Sequence, residues 1–251
     1  MAGISLVCCL GAELDWEFAP HHLPWYAARG VSHFHYILQS ENELDPDLLD
    51  VLKNAAAEHG VSLALYHWRG VFNSNVKVRR MHRVIQTLSA PIVIADADEY
   101  IDVQSFSGLA ARHARLPAVY GQFIDCFAAA PPCVASVRCD APIDKQFPVQ
   151  KRAYAFEQGL CGCSVKPIML FREEYTLIHG LWDYDYKDFA KRHATVPILH
   201  MRWTTSRKRK SQERVELFRS QGAIHWRASE AAVKFLADCP IIERTQNAKP
   251  E

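Results

Sequence analysis

Apolar residues along the first hundred positions fall into two alternating rhythms. Ile4 to Leu10, His33 to Leu38, Val61 to Tyr66 and the run that starts at Pro91 are short and rich in β-branched or aromatic residues, as buried strands are. Helical spacing fills the gaps between them. The stretch from about Trp16 to Arg29 reads as a helix, kinked near Pro20 and Pro24 and closed by Gly30. Asp45-Pro46 opens the next with a cap and a proline in the first turn; Leu48, Leu52 and Ala55 share its face, and Gly60 ends it. A third runs from about Asn75 to Leu88, with Val78, Met81, Ile85 and Leu88 as its apolar stripe and Ser74 or Asn75 as its cap. Strands alternating with helices predict an α/β fold with a Rossmann-type, mostly parallel central sheet, right-handed crossovers and helices on both faces.

The second half is less regular. A helix is expected from Ser105 to Arg115 and a strand from Ala118 to Asp125. Residues Ala128 to Pro148, rich in proline and small side chains, read as a loop. Val149 to Phe156, Val165 to Phe171 and Val196 to Leu199 read as strands, the last running into His200. A basic run, Arg202, Arg207, Lys208, Arg209, Lys210 and Arg214, then leads into a helix at about Ser211 to Ser220. The last dozen residues are polar and read as a frayed tail.

The fourth strand stops on Asp96-Ala97-Asp98-Glu99-Tyr100. Charge taken out of water needs a partner, so ionised carboxylates at the end of a buried strand call for one. On an extended chain Asp96 and Asp98 point to the same side, where two hard oxygen donors can hold Mg²⁺ or Mn²⁺ with sites left for phosphates. Solvated acids in a corner are the plainer reading of such a pair. Upstream, Lys77, Arg79, Arg80 and Arg83 crowd the start of the third helix, where the dipole disfavours cations. An anion partner explains Lys77 and Arg80; Arg79 and Arg83 fit a solvated face equally well.

Composition adds bounds. The chain has 251 residues, 49% hydrophobic and 23% charged, with a net charge of +1. That balance suits a globular protein and gives no global bias toward nucleic acid or membrane. No apolar run approaches the roughly 20 residues that span a bilayer. The apolar N-terminus lacks a basic leader and reads as a first strand, which points to a cytoplasmic protein with reduced thiols. Of its eight cysteines, Cys133, Cys139, Cys161 and Cys163 could form a zinc site, though their spacing fits no standard pair and buried thiols are the simpler expectation.

Four stretches resemble family 2-like nucleotide-sugar glycosyltransferases of the GT-A fold, the group with an Asp-x-Asp-Glu-Phe/Tyr motif. They are Leu10-Gly11-Ala12-Glu13, the segment from His22 to Gly30-Val31-Ser32-His33-Phe34, Asp96 to Tyr100, and Ile198 to Trp203 with the later lysines. The chain departs from that pattern in lacking Asn before Glu13 and in ending its second strand on Gln39-Ser40-Glu41-Asn42. The resemblance implies one GT-A-like domain over residues 1–251: a nucleotide-sugar-binding half at 1–103, an acceptor half at 104–240 and a tail at 241–251. It also implies Mn²⁺ or Mg²⁺ on Asp96 and Asp98, with His200 completing the shell or touching phosphate. Glu13, Lys77, Arg80 and Asp96 would bind the nucleotide sugar. Asp183 and Asp185, among Trp182, Tyr184 and Tyr186, are candidate bases for an inverting transfer, with Asp125 and Glu157 behind them. The basic run would serve as a lid over the diphosphate. The donor would be a nucleoside-diphosphate sugar; the acceptor a glycan, such as a surface polysaccharide, a lipid-linked glycan or a protein. No nucleic acid is expected, and membrane contact would be at most peripheral, on the inner face.

Other classes compete. A haloacid-dehalogenase-type phosphohydrolase also ends a strand on Asp-x-Asp, but carries it early in the chain and wants Thr or Val where Tyr100 stands. A nucleotidyltransferase would show a glycine-rich loop after the first strand, where Gly11-Ala12-Glu13 is poor in glycine. A non-catalytic module could bind anions or nucleic acid through Arg207 to Arg214.

Overall fold

The computed structural model describes residues 3–12, 15–89, 91–129, 134–160, 163–171, 196–220 and 230–235. They belong to two compact units, residues 1–122 with 165–198 and residues 123–164 with 199–251.

The first unit is built on β1 (Ile4–Gly11), buried along its whole length. It pairs in parallel with β2 (Val31–Ser40) on one side and β4 (Ile92–Ile94) on the other, and β2 pairs in parallel with β3 (Ser62–Arg69). Beyond β4 the sheet continues through β8 (Val165–Leu170), β6 (Ala118–Phe127), β9 (Val196–His200) and β5 (Glu99–Ile101). Pairing is antiparallel from β4 to β8 and from β8 to β6. The α/β, Rossmann-type class expected from the sequence is borne out: the first half supplies a parallel core and the second half an antiparallel extension.

Local chemistry sets the elements. The first helical stretch starts as a 3-10 turn at Trp16–Phe18 and becomes α1 (Ala19–Ala27). Pro20 lies in its first turn and Pro24 inside it, and Gly30 at φ +92° releases the chain into β2. In α2 (Pro46–His59) the Asp45 carboxylate accepts from the Asp47 amide, and Gly60 closes the helix left-handed. The cap of α3 (Ser74–Ile85) is neither Ser74 nor Asn75. Asn73, held extended, accepts from the Asn75 and Val76 amides at 3.0 and 3.2 Å. α1 and α2 pack together, and α3 packs against β1. α4 (Phe106–His113) follows β5. Gly121 on β6 is required by close approach: a Cβ there would lie 2.7 Å from the Ile198 side chain.

The second unit holds the end of β6 paired antiparallel with β7 (Val149–Arg152), the one-turn helices α5 (Ile143–Gln146) and α6 (Tyr154–Glu157), and α7 (Thr205–Ser220). Phe127, Ala155, Leu160, Trp203 and Phe235 form its core. Two expectations are corrected here. The strand expected to reach Phe156 stops at Arg152, because Ala153 turns left-handed (φ +50°) and the chain enters α6. The basic run does not precede a helix but occupies its first turns, since α7 begins at Thr205 and the Thr204 hydroxyl accepts from the Arg207 amide at 3.3 Å. No helix among the described residues is long and apolar enough to cross a membrane.

Candidate functional site

The strand order reverses beside β1: the chain lays β2 and β3 to one side and then crosses to lay β4 on the other. The acid motif follows β4 at this point. It is not extended, as strand alternation would have it. Ala97 and Asp98 form a turn between β4 and β5, closed by the Glu99 amide donating to the Asp96 carbonyl at 3.0 Å. The Asp96 amide in turn donates to Glu99 Oε2 at 2.9 Å. Backbone and side chain of the two acids thus clamp each other, and the turn fixes where Asp98, 4% exposed, is held.

Two lysines neutralise the motif. Lys77 Nζ on α3 lies 2.6 Å from Asp96 Oδ1, and Lys166 Nζ on β8 lies 2.5 Å from Glu99 Oε2. Burial would raise the Asp96 carboxyl, but the Lys77 and Lys166 charges outweigh it and hold the group below its ordinary range. Burial likewise opposes the charge on both lysines, yet Asp96 raises Lys77, and Glu99 with Asp96 raises Lys166. Asp96, Lys77 and Lys166 are therefore charged at neutral pH. Cys9 on β1 is pushed up to about 12 by burial and is no nucleophile.

Beneath the turn lies a buried aromatic cluster. His22 Nδ1 pairs with the Tyr36 hydroxyl at 2.8 Å, and its ring packs against Tyr26, Tyr36 and Tyr100 at centroid distances of 4.7, 5.7 and 5.9 Å. The Tyr26 hydroxyl donates to the Glu99 carbonyl and accepts from the Ile101 amide, so α1 holds β5 directly. At the end of β1, the Gly11 amide donates to Asp15 Oδ2 at 3.1 Å, tightening the turn.

In the second unit, Asp125 on β6 is fully buried. Its Oδ1 lies 2.9 Å from His200 Nδ1, and its Oδ2 accepts from the Ala155 amide at 2.8 Å. A carboxylate on Nδ1 favours the tautomer that carries its proton there and its lone pair on Nε2, as in carboxylate–histidine–metal arrangements. Cys126 beside it is pushed up to about 12, mainly by burial.

Of the residues singled out in the sequence, the structure brings Lys77, Asp96 and Asp98 to one turn in the first unit and pairs His200 with Asp125 in the second. The Arg80 guanidinium lies over the Trp68 ring, 5.6 Å from its centroid, and Glu157 is exposed at the end of α6. Glu13, Asp183, Asp185, Trp182, Tyr184 and Tyr186 lie outside the described residues, as do Cys133, Cys161 and the tail at 241–251. Lys166 and Asp15 were missed. The signal for Lys166 was available: a lone charge in the apolar strand Val165-Lys166-Pro167-Ile168-Met169-Leu170 needs a buried partner.

Among the described residues no three His, Cys, Asp or Glu side chains converge as a metal cage. Asp96 and Asp98 still offer two hard oxygen ligands. That donor set fits a Mg²⁺ or Mn²⁺ ion whose remaining positions are filled by phosphate oxygens and water.

No protein-family model matches this sequence, nor does any curated protein. Solved structures similar in part include the 1–349 fragment of S. aureus TarS, 13% identical, with a TM-score of 0.38, covering 85% of this chain and 64% of that one. The same fragment in complex with UDP-GlcNAc is 10% identical, with a TM-score of 0.35, covering 80% and 56%. HddC from Yersinia pseudotuberculosis is 9% identical, with a TM-score of 0.35, covering 48% and 57%. The chain thus spans between 56% and 64% of the length of these three structures.

Proposed function

We propose that this chain is a metal-dependent glycosyltransferase that moves a sugar from a nucleoside-diphosphate donor, with inversion, to a glycan, lipid-linked or protein acceptor. The observation that carries the reading is the place of the acid pair. Asp96 and Asp98 follow β4 where the strand order reverses, the crevice in which open α/β sheets receive their ligands. A Mg²⁺ or Mn²⁺ ion on Asp96 and Asp98 would supply Lewis-acid neutralisation of the leaving diphosphate. The chain's own residues would do the rest. Lys166 fixes Glu99, Glu99 takes the Asp96 amide, and the turn presents its carboxylates without reorganising. Lys77 brings positive charge for phosphate oxygens, and Arg80 is a second donor of the same helix. In the second unit Asp125 orients the His200 imidazole. Both oxygens of Asp125 are engaged, so the acceptor's proton is assigned to Asp183 or Asp185. The reaction is placed in the cytoplasm, with peripheral contact at most on the membrane's inner face.

Calorimetric titration with UDP and GDP, with Mn²⁺ and with chelator, tests the reading on wild type and Asp98→Ala. Binding is expected to require the metal and to weaken at least about 100-fold in the variant, in line with loss of one of two carboxylate ligands. A folded wild-type protein that binds neither nucleotide under any condition would sink the reading.

A further inference from the structure

Two ammonium groups sit on the acid motif in different settings. Lys166 and Glu99 are sealed, with 3% and 5% of their side chains exposed; Lys77 and Asp96 are open to solvent at 14% and 28%. Lys166 is fixed in the middle of a sheet. Lys77 stands in the first turns of α3 on a four-carbon stem that can swing while the helix stays put.

Charge decides what the open pair can do. The Asp96 carboxylate is already matched by the Lys77 ammonium, as Glu99 is by Lys166. A divalent ion on Asp96 would have to share that carboxylate with an ammonium already 2.6 Å away, and like charges so close repel strongly. An ion arriving with a diphosphate meets no such conflict, because the phosphate oxygens offer the ammonium a new anionic partner.

We propose that Lys77 is the resident counter-ion of Asp96 in the donor-free protein and exchanges partners on binding: the divalent ion takes the carboxylate and the ammonium moves to the donor's diphosphate. This rests on the nucleoside-diphosphate reading above. The exchange makes the bare turn a poor metal site and couples metal to nucleotide, so each strengthens the other's binding by the same factor. It also keeps the partly buried Asp96 charge compensated at every stage, which a simple metal site would not do before loading.

The test uses Lys77→Met, which keeps the stem and removes the charge, and Lys77→Arg, which keeps the charge; circular dichroism confirms folding of each. Binding of Mn²⁺ alone is read from the free-ion paramagnetic resonance signal, and UDP binding at saturating Mn²⁺ by calorimetry. A unit charge within 4–6 Å alters a carboxylate's affinity for a proton by about 10- to 1,000-fold, and a dication senses the same charge. Lys77→Met is therefore expected to bind Mn²⁺ alone at least about tenfold more tightly than wild type, while losing about tenfold or more in affinity for UDP. Lys77→Arg should keep the weak Mn²⁺ binding of wild type. Unchanged or weaker Mn²⁺ binding in Lys77→Met overturns the exchange, as does a protein whose wild type and Met variant both ignore Mn²⁺. Failure of wild type to bind UDP at all would strike the nucleotide reading instead, and the Mn²⁺ comparison would still decide whether Lys77 competes for Asp96.

Discussion

Burial holds the His22 imidazole neutral, lowering its pKa from 6.5 to about 4 against the weaker upward pull of Asp96 and Asp98. Tyr26, Tyr36 and Tyr100 surround the ring, themselves raised by burial and uncharged near neutrality. A folded-state pKa below the unfolded one means that the unfolded chain binds the extra proton first. The stability that neutral His22 confers is thus present above about pH 6.5 and is lost as pH falls toward 4. Between pH 7 and pH 5 the loss is about 2 kcal/mol. Urea titrations at the two pH values measure it, and His22→Gln should abolish that part of the slope; an unchanged slope would mean that folding does not shift the His22 pKa. In the sequence His22 stood out only as the head of a segment resembling the family. Its role as the floor beneath the acid turn became visible only once α1 and β5 were brought together.

One side chain in the second unit holds three elements. Asp125 on β6 accepts from His200 at the end of β9 and from Ala155 at the start of α6. A carboxylate suits a helix N-terminus, and this contact explains why a stretch that alternates like a strand becomes a turn of helix after Arg152. Removing the carboxylate in Asp125→Ala strands two buried donors and should cost roughly 2–6 kcal/mol by urea denaturation. Asp125→Asn keeps an acceptor for one of them and should cost about half as much; equal losses would show that the contacts do not hold the elements. The same contrast marks what was legible in the chain. Strands β1 to β4 and their helices are written in local signals: β-branched runs, Asp45-Pro46, and Gly30 and Gly60 at the helix ends. The later elements depend on distant partners that no window of sequence contains. Their boundaries slipped for that reason. The cap at Asn73 and the turn at Asp96-Ala97-Asp98 are local contacts of two or three residues, where Asn73, Ser74 and Asn75 offered competing caps and the apolar run suggested continued extension.

The site's location is a property of the whole topology. The alternation of strands and helices was readable, and with right-handed crossovers it limited where β4 could go. It did not say that β4 would return beside β1; that placement makes the carboxyl ends of β1 and β4 a crevice rather than two loops. The rival location is the basic start of α7, where Arg207, Lys208 and Arg209 precede the first acidic side chain, Glu213. Hydrogen exchange separates the two. The Asp15, Asp96 and Glu99 amides each have an acceptor within the turns after β1 and β4, so they report opening of those turns. With UDP and Mn²⁺ at about 100 times the dissociation constant, their exchange should slow by up to about 100-fold wherever opening releases the ligand. The Lys208 amide, bonded to the Thr204 carbonyl at 3.0 Å, reports on α7. Slowing at the acid turns with no change at Lys208 keeps the diphosphate on the acid pair. Protection of α7 with no change at Asp96 and Glu99 would move the anion site to the helix and leave the acid pair as a structural clamp.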